Sequence, residues 1–351
     1  MNQDIIFHNL EKLYKNTPET ELNPNDRVVI FSDLHLGNGG ERDDFRKNAK
    51  LFTTVVREYY LRNQFKMILN GDIEELQKFN YAKIRSSWKH VYALFDRLKQ
   101  ETGLYRIVGN HDWELFSMHH LNENLRSAIK YKYNGNEIFL FHGHQAVEFF
   151  EKHYLLSKIF VRYITKPLRI KNISTAYNSK RKFKVEKNAY LFSSRKKIVS
   201  IIGHTHRPLF ESLSKTDYLK FTIEQLIRQY PKAKPGRKKS IERKIKRLKR
   251  ELDYHYLKNQ QSNLNNSLYN SQLAIPCVFN SGTVIGKRGI TSLEIANERI
   301  YLVHWFHPRK SRKYLEYTER SPERLGNTPY FRLVLKQDPL DYVFARIKLL
   351  T

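Results

Sequence analysis

Apolar residues in this chain gather into short runs, and the runs end alike. Val28-Val29-Ile30-Phe31-Ser32, Lys66-Met67-Ile68-Leu69-Asn70, Tyr105-Arg106-Ile107-Val108, Ile138-Phe139-Leu140-Phe141 and Ile198-Val199-Ser200-Ile201-Ile202 are each followed at once by Gly, Asp or His. Runs of this length, rich in β-branched and aromatic residues, predict strands over 27–32, 66–70, 104–108, 137–141 and 198–202. Between them the apolar period changes. Phe45, Ala49, Phe52, Val56 and Tyr59/Tyr60 recur at helical spacing over 44–62, with Asp43 or Asp44 as N-cap. Ile84, Trp88, Val91, Phe95 and Leu98 mark a second amphipathic helix. A short helix is expected in residues 1–24, before a turn at Asn23-Pro24-Asn25, and another after Asp112. Closing strands are expected over 275–280, 289–295 and 300–306, with turns at Ser281-Gly282 and Asn297-Glu298. Strands alternating with helices predict a layered α/β fold.

Two segments leave the alternation. Residues 145–197 begin as an aromatic helix (Val147, Phe149, Phe150, Tyr154, Leu155) and continue through Phe160, Tyr163, Ile164 and Leu168, mixed with Lys158, Arg162, Lys166, Arg169 and Lys171. A helical cap is expected there. Residues 212–272 form a second insertion, with eleven Lys/Arg between Lys232 and Arg250 against one acid, Glu242. Ile241, Ile245, Leu248 and Leu252 make a narrow apolar stripe on its predicted helix. The expected organisation is therefore one domain over 1–306, interrupted by these insertions, and a C-terminal extension over 307–351.

The motifs at the strand ends carry the chemistry. In order they are Asp33-Leu34-His35, Gly71-Asp72, Gly109-Asn110-His111-Asp112, His142-Gly143-His144 and Gly203-His204-Thr205-His206. Strands ending this way in one sheet would bring their polar side chains to a single edge. Asp, Asn and His gathered at one point are ligands for hard or borderline divalent metals. Asp72, with two oxygens, suits a bridge between two ions. His111 suits a proton donor, with Asp112 as the acceptor that fixes its ring tautomer.

Composition narrows the setting. One cysteine, Cys277, excludes an intrachain disulfide. No apolar h-region opens the sequence and no run approaches the ~20 apolar residues of a spanning helix, so a cytoplasmic protein is expected. The formal net charge is +28, and its clustering in the two insertions points to an anionic partner.

The order D-x-H, G-D-x-x-E, G-N-H-D, H-G-H, G-H-T-H resembles the calcineurin-like metallophosphoesterase superfamily over residues 27–207 and the closing strands to about 306. Ser32-Asp33-Leu34-His35-Leu36-Gly37 is similar to the branch containing UDP-2,3-diacylglucosamine hydrolases. The resemblance implies a four-layer α/β/β/α sandwich, here with helical insertions, and a dinuclear metal centre. It implies one ion on Asp33, His35, Asp72 and His206, and a second on Asp72, Asn110, His142 and His204, with Glu75 behind them. Relatives with H-G-D at the fourth motif keep only its first position, which selects His142; His144 is the alternative. The ions would be Mn, Fe, Zn or Mg. They would lower the pKa of a shared water for attack on phosphorus, with His111 beside the leaving oxygen. Two features depart from the diacylglucosamine hydrolases: His111 stands where they usually carry Arg, and the 212–272 insertion is foreign to them. Their substrate is not carried over.

The expected function is hydrolysis of a phosphate ester, phosphodiester or pyrophosphate. An anionic membrane surface, reached through the basic insertions, is the leading setting for a lipid-linked or nucleotide substrate. Interleaved aromatics and cations suit lipid headgroups and also single-stranded nucleic acid, the runner-up. A non-catalytic scaffold is the rival from another class; such relatives lose ligands, whereas this chain keeps every one.

Overall fold

The structure, a computed structural model, describes residues 2–118, 125–146, 179–210, 235–261, 275–311 and 321–351, with residues 219, 223, 226, 227 and 229–233. The aromatic part of the expected cap, from Val147 to Leu168, lies outside these residues. In chain order the elements are α1 (Asn2–Lys15), β1 (Glu19–Glu21), β2 (Val28–Phe31), α2 (Ala49–Val55), β3 (Lys66–Asn70), α3 (Tyr81–Ser87), α4 (Lys89–Glu101), β4 (Leu104–Ile107), β5 (Leu125–Arg126), β6 (Ala128–Tyr133), β7 (Asn136–Phe141), α5 (Ser179–Lys196), β8 (Val199–Ile202), α6 (Pro235–Gln261), β9 (Val278–Asn280), β10 (Ile290–Ala296), β11 (Arg299–Phe306), β12 (Glu323–Arg324), β13 (Phe331–Pro339) and α7 (Leu340–Leu350).

The described strands form two sheets with helices against both. One has eight strands in the order β12-β13-β11-β10-β2-β3-β4-β5, the other five in the order β1-β6-β7-β8-β9. This is the layered α/β sandwich, with one correction. The five motif strands do not share a sheet: β2, β3 and β4 run parallel in the larger, while β7 and β8 run parallel in the smaller. A local apolar run specifies a strand and leaves its pairing to contacts distant in sequence. All four residues of β2 are buried. Val29 and Phe31 join a core with Phe52, Val55 and Phe95 of the helical layer. Val28 and Ile30, also buried, point to the opposite face because side chains alternate along a strand.

Two expected helices are broken. The 44–62 segment divides into a 3-10 turn (Phe45–Lys47), α2 and a π-helical turn (Val56–Leu61). Asn48, at the first break, donates through its amide to Val284 O at 2.6 Å and Gly286 O at 2.9 Å. Asp43, rather than Asp44, receives the Phe45 N–H, at 3.0 Å. The helix through Ile84 and Leu98 breaks at Trp88, whose indole N–H reaches Asp43 Oδ2 at 2.9 Å and Gly37 O at 3.1 Å.

Residues 307–351, expected as an extension, supply β12, β13 and α7. β13 pairs with β11 along its whole length, and α7 buries Leu340, Val343, Phe344 and Ile347. The chain divides into two compact units, Met1–Phe210 with Pro276–Thr351, and Glu211–Ile275. The second has its own small core of Leu219, Leu226, Ile241 and Leu248. No helix among the described residues is long and apolar enough to cross a membrane.

Tyr60 ties the helical layer to the larger sheet from a fully buried position. Its hydroxyl donates to Glu294 Oε1 at 2.8 Å and accepts from Trp305 Nε1 at 2.8 Å. Tyr60→Phe leaves both partners short of a hydrogen bond and should cost about 1–3 kcal/mol. A lower denaturation midpoint at unchanged m-value is the expected result.

Candidate metal centre

The strand ends turn sharply. Asp33, His35, Asp72, His204 and His206 all sit in the left-handed region, with φ between 48° and 62°. For a residue with a Cβ this costs roughly 1–2 kcal/mol, so the surroundings must hold it. Backbone bonds between the turns do so: Asp33 N to Gly71 O at 3.0 Å, His35 N to Asp72 O at 3.0 Å and Gly203 N to His142 O at 2.8 Å. Two glycines let the turns touch. A Cβ on Gly71, at φ 83°, would lie 2.4 Å from His142 Nδ1, and one on Gly109 would lie 2.2 Å from Asp72 Oδ1.

The turns gather two groups of ligand-type side chains, and a third, His35 with Glu75 and His111, shares His35 with the first. Asp33, His35 and His206 offer ligand atoms within 4.8 Å of one another, and so do Asp72, His142 and His204. His35 Nε2 is 3.1 Å from His206 Nε2, and Asp33 Oδ1 is 3.0 Å from His206 Nε2. His142 Nε2 is 3.1 Å from Asp72 Oδ2, and its Nδ1 is bound to Asn70 O at 2.7 Å, which turns Nε2 inward. His144 joins none of the groups; its ring centre is 5.5 Å from that of His142 and 6.4 Å from that of His204.

Asp33 Oδ1, Asn110 Oδ1, His142 Nε2 and His204 Nε2 are all buried without a hydrogen bond. For Asp33 and His142 the close approaches above bring the atoms together without hydrogen-bond alignment. A buried polar atom left unpaired costs about 1–3 kcal/mol. Four of them, from four motifs, fit a centre that binds cations: they are oxygen and imidazole donors buried without a hydrogen bond.

Glu75 lies behind this centre. Its carboxylate takes His35 Nδ1 at 3.1 Å on one oxygen and His111 Nδ1 at 2.8 Å on the other. It thereby orients both rings through Nδ1 and leaves their Nε2 atoms forward. Burial alone would raise the Glu75 carboxyl, but the His111 and His35 rings outweigh it and hold it well below the usual carboxylate range. Burial alone would lower His111, yet Asp72 and Glu75 push it up to about 9. His204 is pushed down to about 3 by burial and by the nearby His142.

Asp112 does not orient His111. Its carboxylate accepts the Gly109 N–H at 2.6 Å and the Ile73 N–H at 2.7 Å. It closes its own turn and ties that turn to the Asp72 motif. Its neighbour His111 faces Glu75 instead, because the Asp72 carboxylate captures the His111 N–H at 2.7 Å. Burial and the nearby Asp72 and Glu74 push the Asp112 carboxyl up to about 7.

Several supporting residues were missed in the sequence. Asn280, at the end of β9, donates to Gly203 O at 2.8 Å and Thr205 Oγ1 at 3.0 Å. Its signal was present, since Val278-Phe279-Asn280 is another apolar run ending in a polar residue. Glu186 on α5 accepts from Thr205 Oγ1 at 3.0 Å and forms an ion pair with Arg207. Glu74 accepts from Tyr92 at 2.8 Å and pairs with Arg106 of β4. Neither acid carries a local pattern that names its partner.

The family comparison agrees with this chemistry. A family model described as calcineurin-like phosphoesterase matches residues 26–231, more than half of the chain. No curated protein matches. Among solved structures, YfcE, a phosphoesterase from E. coli, aligns at 11% identity over 90% of this chain and 99% of its own, with a TM-score of 0.36. That overlap is too slight to carry an argument, and the fold rests on the sheet order and the family match. The chain belongs to the calcineurin-like phosphoesterase family and is a metal-dependent phosphoester hydrolase.

Proposed function

We propose that the enzyme cleaves a phosphoester bond of an anionic substrate at a centre of two divalent ions. Asp33, His35, Asp72 and His206 would hold one ion, and Asp72, Asn110, His142 and His204 the other. The observation that carries this reading is the set of four buried ligand atoms without hydrogen bonds, contributed by four separate motifs, with Asp33, His142 and His204 in the two side-chain clusters. When bound, the ions supply Lewis-acid activation of water and neutralise charge on the phosphoryl group.

The chain's own residues do the rest. His111 Nδ1–H is fixed on Glu75, and the raised pKa of His111 keeps the ring an imidazolium whose second proton, on Nε2, faces the centre, 4.0 Å from Asp72 Oδ2. His111 donates that proton to the leaving oxygen as the bond to phosphorus breaks. Glu75 holds the rings of His35 and His111 together, so ligand and donor keep a fixed relation. Half-buried Lys182 of α5 is held below its usual pKa by burial and by Arg207, while Asp33 acts the other way. The substrate is read as a phosphate monoester, phosphodiester or pyrophosphate. A nucleotide or nucleic-acid phosphodiester is the second reading, favoured by the +28 net charge.

Manganese-loaded protein should hydrolyse an aryl phosphomonoester or a bis-aryl phosphodiester, and which of the two is faster assigns the bond type. Asp72→Ala should abolish the activity and lower bound metal, measured by elemental analysis; full activity in this variant would refute the assignment. His111→Ala should keep its metal and lose about 10²–10⁴-fold in rate, the scale of a lost general acid. A lost equivalent of metal would instead make His111 a ligand. Glu75→Gln cannot accept from both rings at once, so one imidazole presents the wrong nitrogen. A loss of about 10–100-fold in metal affinity or rate is expected, read by metal titration.

A further inference from the structure

The basic unit Glu211–Ile275 stands apart from the chemistry described so far. Its long helix α6 carries an apolar stripe and a basic one. Ile241 and Leu248 are buried, and Ile245 and Leu252 partly so, against Leu219, Leu226, Ile223 and Tyr230 of the same unit. Lys239, Arg243, Lys246 and Arg250 are all exposed. Their spacing of four, three and four residues puts them on one helix face, away from the apolar stripe. Among the described residues none of the four is in an ion pair. The one acid between Lys232 and Arg250, Glu242, accepts from the Tyr230 hydroxyl.

This arrangement discriminates between polyanions. A helix that lies in a membrane interface needs a free apolar face to bury among the lipid chains. Here that face is already used inside the unit, and the exposed large apolar side chains on its described residues are Ile227 and Tyr254 alone. A single-strand platform needs aromatic rings on which bases stack. The basic stripe has none between Lys239 and Arg250, and Tyr254, one turn beyond, offers a single ring where successive bases need several. What remains is a rigid row of cations. It spans about 16 Å at 1.5 Å per residue, a length over which a duplex presents about nine phosphates.

We propose that the Lys239–Arg243–Lys246–Arg250 face of α6 docks on the phosphate backbone of double-stranded nucleic acid, without reading base sequence. The chain thereby carries a duplex-binding module in addition to its hydrolytic domain. This binding does not depend on which phosphoester the metal centre cleaves.

The test uses the full chain and fluorescence anisotropy with mixed-sequence DNA and RNA duplexes. Binding should weaken about 100-fold or more between roughly 50 and 200 mM salt, as four released counterions require. The variant Lys239→Gln/Arg243→Gln/Lys246→Gln/Arg250→Gln should flatten the log–log salt slope by about 3.6. It should keep wild-type hydrolysis of an aryl phosphate, which shows that the rest of the enzyme is folded. Far-UV circular dichroism checks the helix, and charge restoration at Arg243 and Arg250 should recover part of the slope. An unchanged slope in the quadruple variant overturns the proposal. So does tighter binding to single strands than to duplexes, or binding to vesicles of anionic phospholipid without binding to duplex. Binding to neither also overturns it and leaves the stripe a solvated face. Loss of hydrolysis in Asp72→Ala with duplex binding intact separates this module from the metal centre.

Discussion

The carboxylate of Asp72 is where the two sheets meet. Asp72 leaves β3 of the larger sheet, and its Oδ2 lies 3.1 Å from Nε2 of His142, which leaves β7 of the smaller. Its Oδ1 holds the backbone N–H of His111 at 2.7 Å, and its carbonyl oxygen accepts from His35 N at 3.0 Å. Three motifs are thus positioned by one residue. Gly71 and Gly109 have no side chain because a Cβ at either would collide with His142 or with Asp72 itself. Most of what surrounds the centre follows from this demand for close approach.

The arrangement concentrates unfavourable energy. Five left-handed residues in three turns, four buried atoms without hydrogen bonds, and the mutual proximity of Asp33 and Asp72 all oppose folding. Backbone hydrogen bonds between turns offset some of it, as do the Asn280 and Glu74 networks. The remainder is stored at the point where cations would release it, because charged donors fixed in a dry site gain most from a divalent ion. Rigid burial also explains the role of Glu75: a ring held by one nitrogen cannot drift, so the other nitrogen is aimed without further cost at the moment of reaction.

Charge is organised differently in the two units. Around the centre it is buried, paired and directional. On the four stripe residues of α6 it is exposed, without an ion pair among the described residues, and repetitive. Buried charges of the first kind specify chemistry at one point. Exposed charges of the second kind specify a class of surface, and they act through counterion release rather than fixed geometry.

The sequence by itself determined the strands, their ends and the identity of the ligand-type residues, because apolar period and strand-terminating Gly, Asp and His are local properties. The hairpin turn at Asn297-Glu298 was legible for the same reason, and the Asn134-Gly135 turn between β6 and β7 carried an equally local signal that went unread. Only the tertiary structure decided that the motif strands divide between two sheets, and that His111 belongs to Glu75 and not to the adjacent Asp112. It alone decided that Asn280 supports a turn 77 positions away, and that the apolar stripe of α6 is already covered. Each of these is a choice among chemically equivalent partners. An aspartate beside a histidine and a glutamate 36 positions from it look equally able to accept its proton; the backbone turn that points one of them away exists only once the strands have paired.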